Sequence, residues 1–197
     1  RVSTNVPADA DSELLSQFFA EFLDESTFSE FRKIEREFGI LRDQGSTVSG
    51  YPMIRPRDCA TITRLLETVF EAGRERFRTQ DAAITARFER LIATFHDFCR
   101  KVYPSEATAV LVLHGKILLF MGNAERVVQL VSHLALRPYA VEHSLEHNLA
   151  LVELLGQAHL RLGSFDRLQL SFIAFGAWLV AQGRGISASK IALKLAP

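Results

Sequence analysis

The chain is 197 residues long, enough for one domain with a sizeable core or for a short array of repeats. Hydrophobic residues make up 48% and charged residues 23%, and the 23 basic side chains balance 23 acidic ones to a formal net charge of zero. That balance argues against a nucleic-acid binder, which carries a basic excess or stripe, and no run approaches the roughly 18 apolar residues that a membrane-spanning helix needs.

Helical periodicity recurs along the whole chain, and no segment shows a period-2 strand pattern. Leu14, Leu15, Phe18, Phe19, Phe22 and Leu23 form one face, with Asp11 or Ser12 as the N-cap. Phe28, Phe31, Ile34, Phe38 and Leu41 form the next, opposite Arg32, Lys33, Glu35 and Arg36. Residues 43–57 then read as the one long loop, because their glycines, serines and two prolines forbid a continuous helix. Asp58 is expected to cap a helix with Ile62, Leu65, Leu66, Val69 and Phe70 on one stripe, whose basic end at Arg74, Arg76 and Arg78 is a solvated face. Ile84, Phe88, Leu91, Ile92, Phe95 and Cys99 mark another helix, stopped by Pro104. Beyond it, Gly122, Pro138, Gly163 and Gly183 punctuate helix-length segments, and a last short piece carries Ile186, Ile191 and Leu195. The expectation is an all-α chain of about eight or nine helices, built as antiparallel hairpins stacked into a short α-solenoid.

The second half repeats. "LHGKILLFMGNAERV" (Leu113 to Val127) and "LLGQAHLRLGSFDRL" (Leu154 to Leu168) share two glycines, a small polar residue, an acid, an arginine and an aliphatic residue, and both glycine pairs lie 41 residues apart. A fixed period of this size is the mark of stacked helical hairpins. The first glycine of each pair, Gly115 or Gly156, lets a partner helix approach closely. The second, Gly122 or Gly163, ends helix A in a left-handed cap and leaves the acid in the first turn of helix B.

On Gly115, Gly122-Asn123 and Pro138, and on Gly156 and Gly163-Ser164-Phe165, the stretch from about residue 107 to 183 resembles the tetratricopeptide-repeat family in diverged form. Val127 and Leu168 stand where that family has alanine, and the period exceeds the family's 34, with the surplus between Pro138 and Ala150. The resemblance implies a non-catalytic scaffold or adaptor that binds a protein or peptide segment in a concave groove lined by successive A helices. Carried over position by position, the groove holds Ala109, Val112, Lys116 and Leu119 in the first unit, and Ala150, Glu153, Gln157 and Leu160 in the second. The chain then divides into residues 1–58, an N-terminal helical pair with the long loop, residues 59–104, a hairpin readable as a degenerate repeat, and residues 105–197, all parts of one continuous unit.

The loop supplies a second candidate surface in Tyr51, Met53 and Arg55, residue types enriched at interfaces; its alternative is a crossover loop with Tyr51 and Ile54 tucked onto the helices. Phenylalanine numbers 15 in 197 and reads as core stripe, with a homodimer face at Phe18, Phe19 and Phe22 as the alternative. Cys59 and Cys99 fall in no metal or C-x-x-C spacing, so buried reduced thiols are expected. Reduced thiols of this kind are the default of a cytosolic protein, so the expected location is cytoplasmic.

One motif points to chemistry. His143-Ser144-Leu145-Glu146-His147 spells the H-x-x-E-H pattern of inverted zinc peptidases, in which two histidines one helical turn apart ligate zinc and the glutamate activates water. The strands of that family and a downstream third ligand are missing from the pattern, so the segment reads as a polar helix start between repeats, with a zinc hydrolase as the remote alternative. His96, His114, His133 and His159 stand singly among apolar neighbours, and no nucleophile elbow or phosphate loop accompanies them. No cofactor is expected. A helical accessory domain of a larger enzyme, such as a transferase, is the second functional reading.

Overall fold

Asp24 shows how local chemistry starts the helices. Its carboxylate accepts hydrogen bonds from the Thr27 backbone N–H at 3.0 Å and the Thr27 hydroxyl at 2.6 Å, which satisfies a donor that the first helical turn leaves open. Those bonds hold its pKa below the usual carboxylate value. A computed structural model describes residues 15–43, 54–79, 82–135, 145–167 and 169. Among these residues every regular element is helical and no strand occurs: α1 at 15–20, α2 at Glu25–Asp43, α3 at Pro56–Thr79, α4 at Ala82–Val102, α5 at Pro104–Phe120, α6 at Ala124–Ala135 and α7 at Leu145–Arg161, with a further helix beginning at 165. The all-α expectation holds. Contacts group the chain into two compact units, Arg1–Leu113 and His114–Pro197, so the division falls within α5, past the residue-104 boundary read from Pro104.

In the first unit α2, α3 and α4 pack against one another. Their stripes bury Phe31 and Phe38 from α2, Leu66, Val69 and Phe70 from α3, and Phe88, Ile92 and Phe95 from α4. Phe19 seats on Phe31 at 4.5 Å and on Phe88 at 5.4 Å, and Phe18 on Phe77 at 5.1 Å, measured between ring centroids. Phe18 and Phe19 are therefore core, which corrects the homodimer-face alternative: their apolar area is already spent within the chain. Each such ring contributes about 1.5–3 kcal/mol by burial, and each edge-to-face pair about 0.5–1.5 kcal/mol more. Gly73 makes room for this cluster. A methyl group added there would stand 2.8 Å from the Phe22 ring.

Two local readings shift by a few residues. α3 begins at Pro56, and the Arg55 N–H donates to Asp58 Oδ2 at 3.0 Å. Asp58 is thus the third residue of the helix, and its carboxylate reaches back to satisfy the Arg55 N–H, with proline at the first position where its missing N–H costs nothing. Pro104 likewise opens α5 after ending α4, and between them the Tyr103 hydroxyl donates to the Ile54 carbonyl at 2.5 Å. Cys59 on α3 and Cys99 on α4, 40 residues apart in sequence, are both fully buried, and the Cys59 thiol donates to the Arg55 carbonyl at 3.8 Å. Burial pushes both thiols above their ordinary pKa, Cys99 furthest, which suits inert packing groups.

In the second unit the two glycine caps are built alike. Gly122 and Gly163 take φ of +78° and +65°, a region that strains any residue with a Cβ. At the first cap the Gly122 and Asn123 N–H groups donate to the Leu119 and Leu118 carbonyls. At the second, Gly163 and Ser164 donate to Leu160 and His159. Each donor and acceptor of one cap has its counterpart 41 residues away in the other. α6 packs on α7, and Gly115 of α5 meets α7 directly, since a Cβ there would lie 2.9 Å from Leu154 Cδ1. The close approach that Gly115 permits is between α5 and α7.

Candidate interaction surface

α7 is the helix on which the predicted partner-binding residues can be placed most fully. Leu151, Val152, Leu154, Leu155 and Ala158 form its buried face. Glu153, Gln157 and Leu160, spaced i, i+4 and i+7, form an exposed stripe on the other side. Within that stripe the Gln157 side-chain amide donates to Glu153 at 3.4 Å. Lys116 on α5 is also exposed. The other two predicted groove residues are core: Val112 is 8% exposed and Leu119 3%. Of the six carried-over positions, Lys116, Glu153, Gln157 and Leu160 are the exposed ones.

The 41-residue repeat turns this into a comparison of equivalent positions. Leu119 is buried, whereas its counterpart Leu160 is 50% exposed; Ala124 is 4% exposed, whereas its counterpart Phe165 is 63% exposed. Met121 and Leu162 are both exposed. Sequence reasoning placed Leu160 in the groove but read Phe165 only as a family-like turn residue; its signal was the substitution of a large aromatic for alanine at an equivalent position. The Arg161 guanidinium donates to the Leu119 carbonyl and so holds the end of α7 to the end of α5.

Of the remaining expectations, Arg55 is exposed at the head of α3 and Ile54 beside it is buried, while Tyr51 and Met53 lie outside the described residues. The H-x-x-E-H string straddles the start of α7: His147 is half-buried on the helix, and His143 lies outside the described residues. Among the described residues no three His, Cys, Asp or Glu side chains come together as a metal site. His114 and His159 are both buried. His159 Nδ1 has no hydrogen-bond partner, and burial, assisted by the nearby Arg167 charge, lowers its pKa. No described helix is long and apolar enough to cross a membrane. No family model matches the sequence, and neither the curated proteins nor the solved structures contain a match to it.

Proposed function

We propose that the chain is a non-catalytic, tetratricopeptide-like helical module that works in the cytoplasm as a scaffold or adaptor, holding a segment of a partner protein against α7. The observation that carries the reading is the contrast between equivalent positions, with Leu160 and Phe165 exposed where Leu119 and Ala124 are buried. In a stacked repeat such positions are covered by a neighbouring element, so large apolar side chains exposed there are suited to contact with a partner segment. Large apolar side chains grouped on a surface are the usual signature of such a contact. Glu153, Gln157 and Lys116 supply polar groups able to set the register of the bound segment.

The repeated cap, the packing of α6 on α7 and the close approach at Gly115 support the solenoid-like part of the reading. The test is affinity capture with the purified chain as bait, comparing the wild type with a Leu160→Asp, Phe165→Asp double variant whose helicity is verified by circular dichroism. Both positions are exposed, so the variant should fold and lose the captured partner. Equal recovery on both baits sinks the reading.

A further inference from the structure

The first unit contains a cleft that the surface on α7 does not involve. It lies between α2 and α3 and has a volume of about 310 Å³. Its floor is aliphatic: Ile34, Ile54 and Ile62 are buried at 7–8% exposure, and Leu65 completes it. Its rim carries three carboxylates, Glu30, Glu37 and Asp58, and one ammonium, Lys33; Asp58 is paired with Arg57 at 3.8 Å, so Glu30 and Glu37 are the acidic groups the rim offers a partner. Glu30 and Glu37 stand seven residues apart on α2, two helical turns or about 10 Å along one edge.

Two hydrogen bonds hold this shape. Tyr103 fixes the Ile54 carbonyl, and the Arg55 N–H fixes the Asp58 carboxylate. The walls are therefore set before any ligand arrives, which lowers the ordering cost of binding. Glu30, Lys33 and Thr61 are exposed, so the cleft is open along its rim. An open cleft at the small end of the ligand-pocket range, about 300–1,000 Å³, cannot bury the large share of a free small molecule that tight binding requires. It can receive a pair of aliphatic side chains from a helix whose backbone stays outside.

We propose that the α2–α3 cleft docks an amphipathic helix of a partner protein, which inserts aliphatic side chains one turn apart onto Ile34, Ile54 and Ile62 and sets lysines or arginines two turns apart against Glu30 and Glu37. The apolar floor supplies the attraction. The rim charges choose a cationic partner and orient it.

Fluorescence anisotropy with three labelled helical peptides tests this. The first carries leucines at i and i+4 flanked by lysines seven residues apart, the second replaces the lysines with glutamate, and the third replaces the leucines with serine. Only the first should bind, with the others weaker by about tenfold or more. A Glu30→Lys, Glu37→Lys variant with unchanged circular dichroism should lose the lysine peptide and prefer the glutamate one. Amide chemical-shift changes on adding the lysine peptide should map to α2 and α3. Failure of the lysine peptide to bind at about millimolar concentration, equal binding by the charge-reversed variant, or shifts that map elsewhere overturns the proposal. A concentration-dependent dimer abolished by the same variant also overturns it, and assigns the cleft to a second copy of the chain. Leu160→Asp, Phe165→Asp should leave the peptide binding intact, which separates this site from the one on α7.

Discussion

Replacing Gly115 by alanine sets two effects of similar size against each other, and the structure decides which wins. In a helix interior alanine is better than glycine by about 1 kcal/mol. Gly115, however, faces Leu154, and the added methyl would stand 2.9 Å from Leu154 Cδ1, where ordinary contact begins at 3.4 Å. The neighbour must yield by roughly 0.5 Å, and Leu154 is 5% exposed in a packed face. Overpacking of this kind costs about 1–3 kcal/mol, so Gly115→Ala should destabilise the protein by about 1 kcal/mol net. Leu154→Ala alone should cost about 2–5 kcal/mol through lost burial and the cavity it leaves. In that background the obstructing atom is gone, and Gly115→Ala should stabilise by up to about 1 kcal/mol. The cycle predicts a coupling of about 2 kcal/mol, well above the error of additivity. Urea unfolding of the four proteins, followed by far-ultraviolet circular dichroism, measures it. If Gly115→Ala stabilises equally in both backgrounds, the close approach of α5 and α7 is not what the glycine serves.

Two further perturbations separate backbone from packing and neutral from charged states. Gly122→Ala and Gly163→Ala should each lose about 1–2 kcal/mol from left-handed strain, since among the described residues no atom beyond the chain neighbours lies within 4 Å of the added methyl at either site, and asparagine at either position should lose less; equal unfolding midpoints for the alanine, asparagine and wild-type proteins would contradict this. His159 is buried with a folded-state pKa below its ordinary 6.5. Its contribution is complete above pH 6.5, where both states are neutral, and is lost as pH falls through that value towards the folded pKa, because the unfolded chain takes up the proton first. The stability difference between wild type and His159→Leu should therefore move against the wild type on going from about pH 7.5 to about pH 5.5, and a difference independent of pH would refute it.

How much of this was legible follows from how far each cause reaches. Phe31, Ile34 and Phe38 announce the buried face of α2 because a helix returns to the same side every three to four residues. Arg55, Pro56 and Asp58 could be misread by a few positions because the carboxylate that satisfies the helix start sits at the third position of the first turn instead of ahead of it. Of the six groove positions carried over from the family pattern, Lys116, Glu153, Gln157 and Leu160 are exposed, whereas Val112 and Leu119 are buried. All six are plausible surface or core residues by type. Burial at a position depends on which element lies over it, and that element can be far away in sequence.

Helix content, the two left-handed caps and the 41-residue period were determined by the sequence itself. Each depends on backbone geometry over a single turn, and glycine is the residue that meets φ of +78° and +65° without strain. Tertiary structure alone decided that Gly115 meets Leu154 of α7, that Cys59 and Cys99 are both fully buried, and that Phe18 and Phe19 belong to the core. It also decided that Leu160 and Phe165 are exposed where Leu119 and Ala124 are covered. These outcomes depend on which stripes meet, and many pairings of apolar stripes satisfy the same helical pattern; only the packed chain selects one of them.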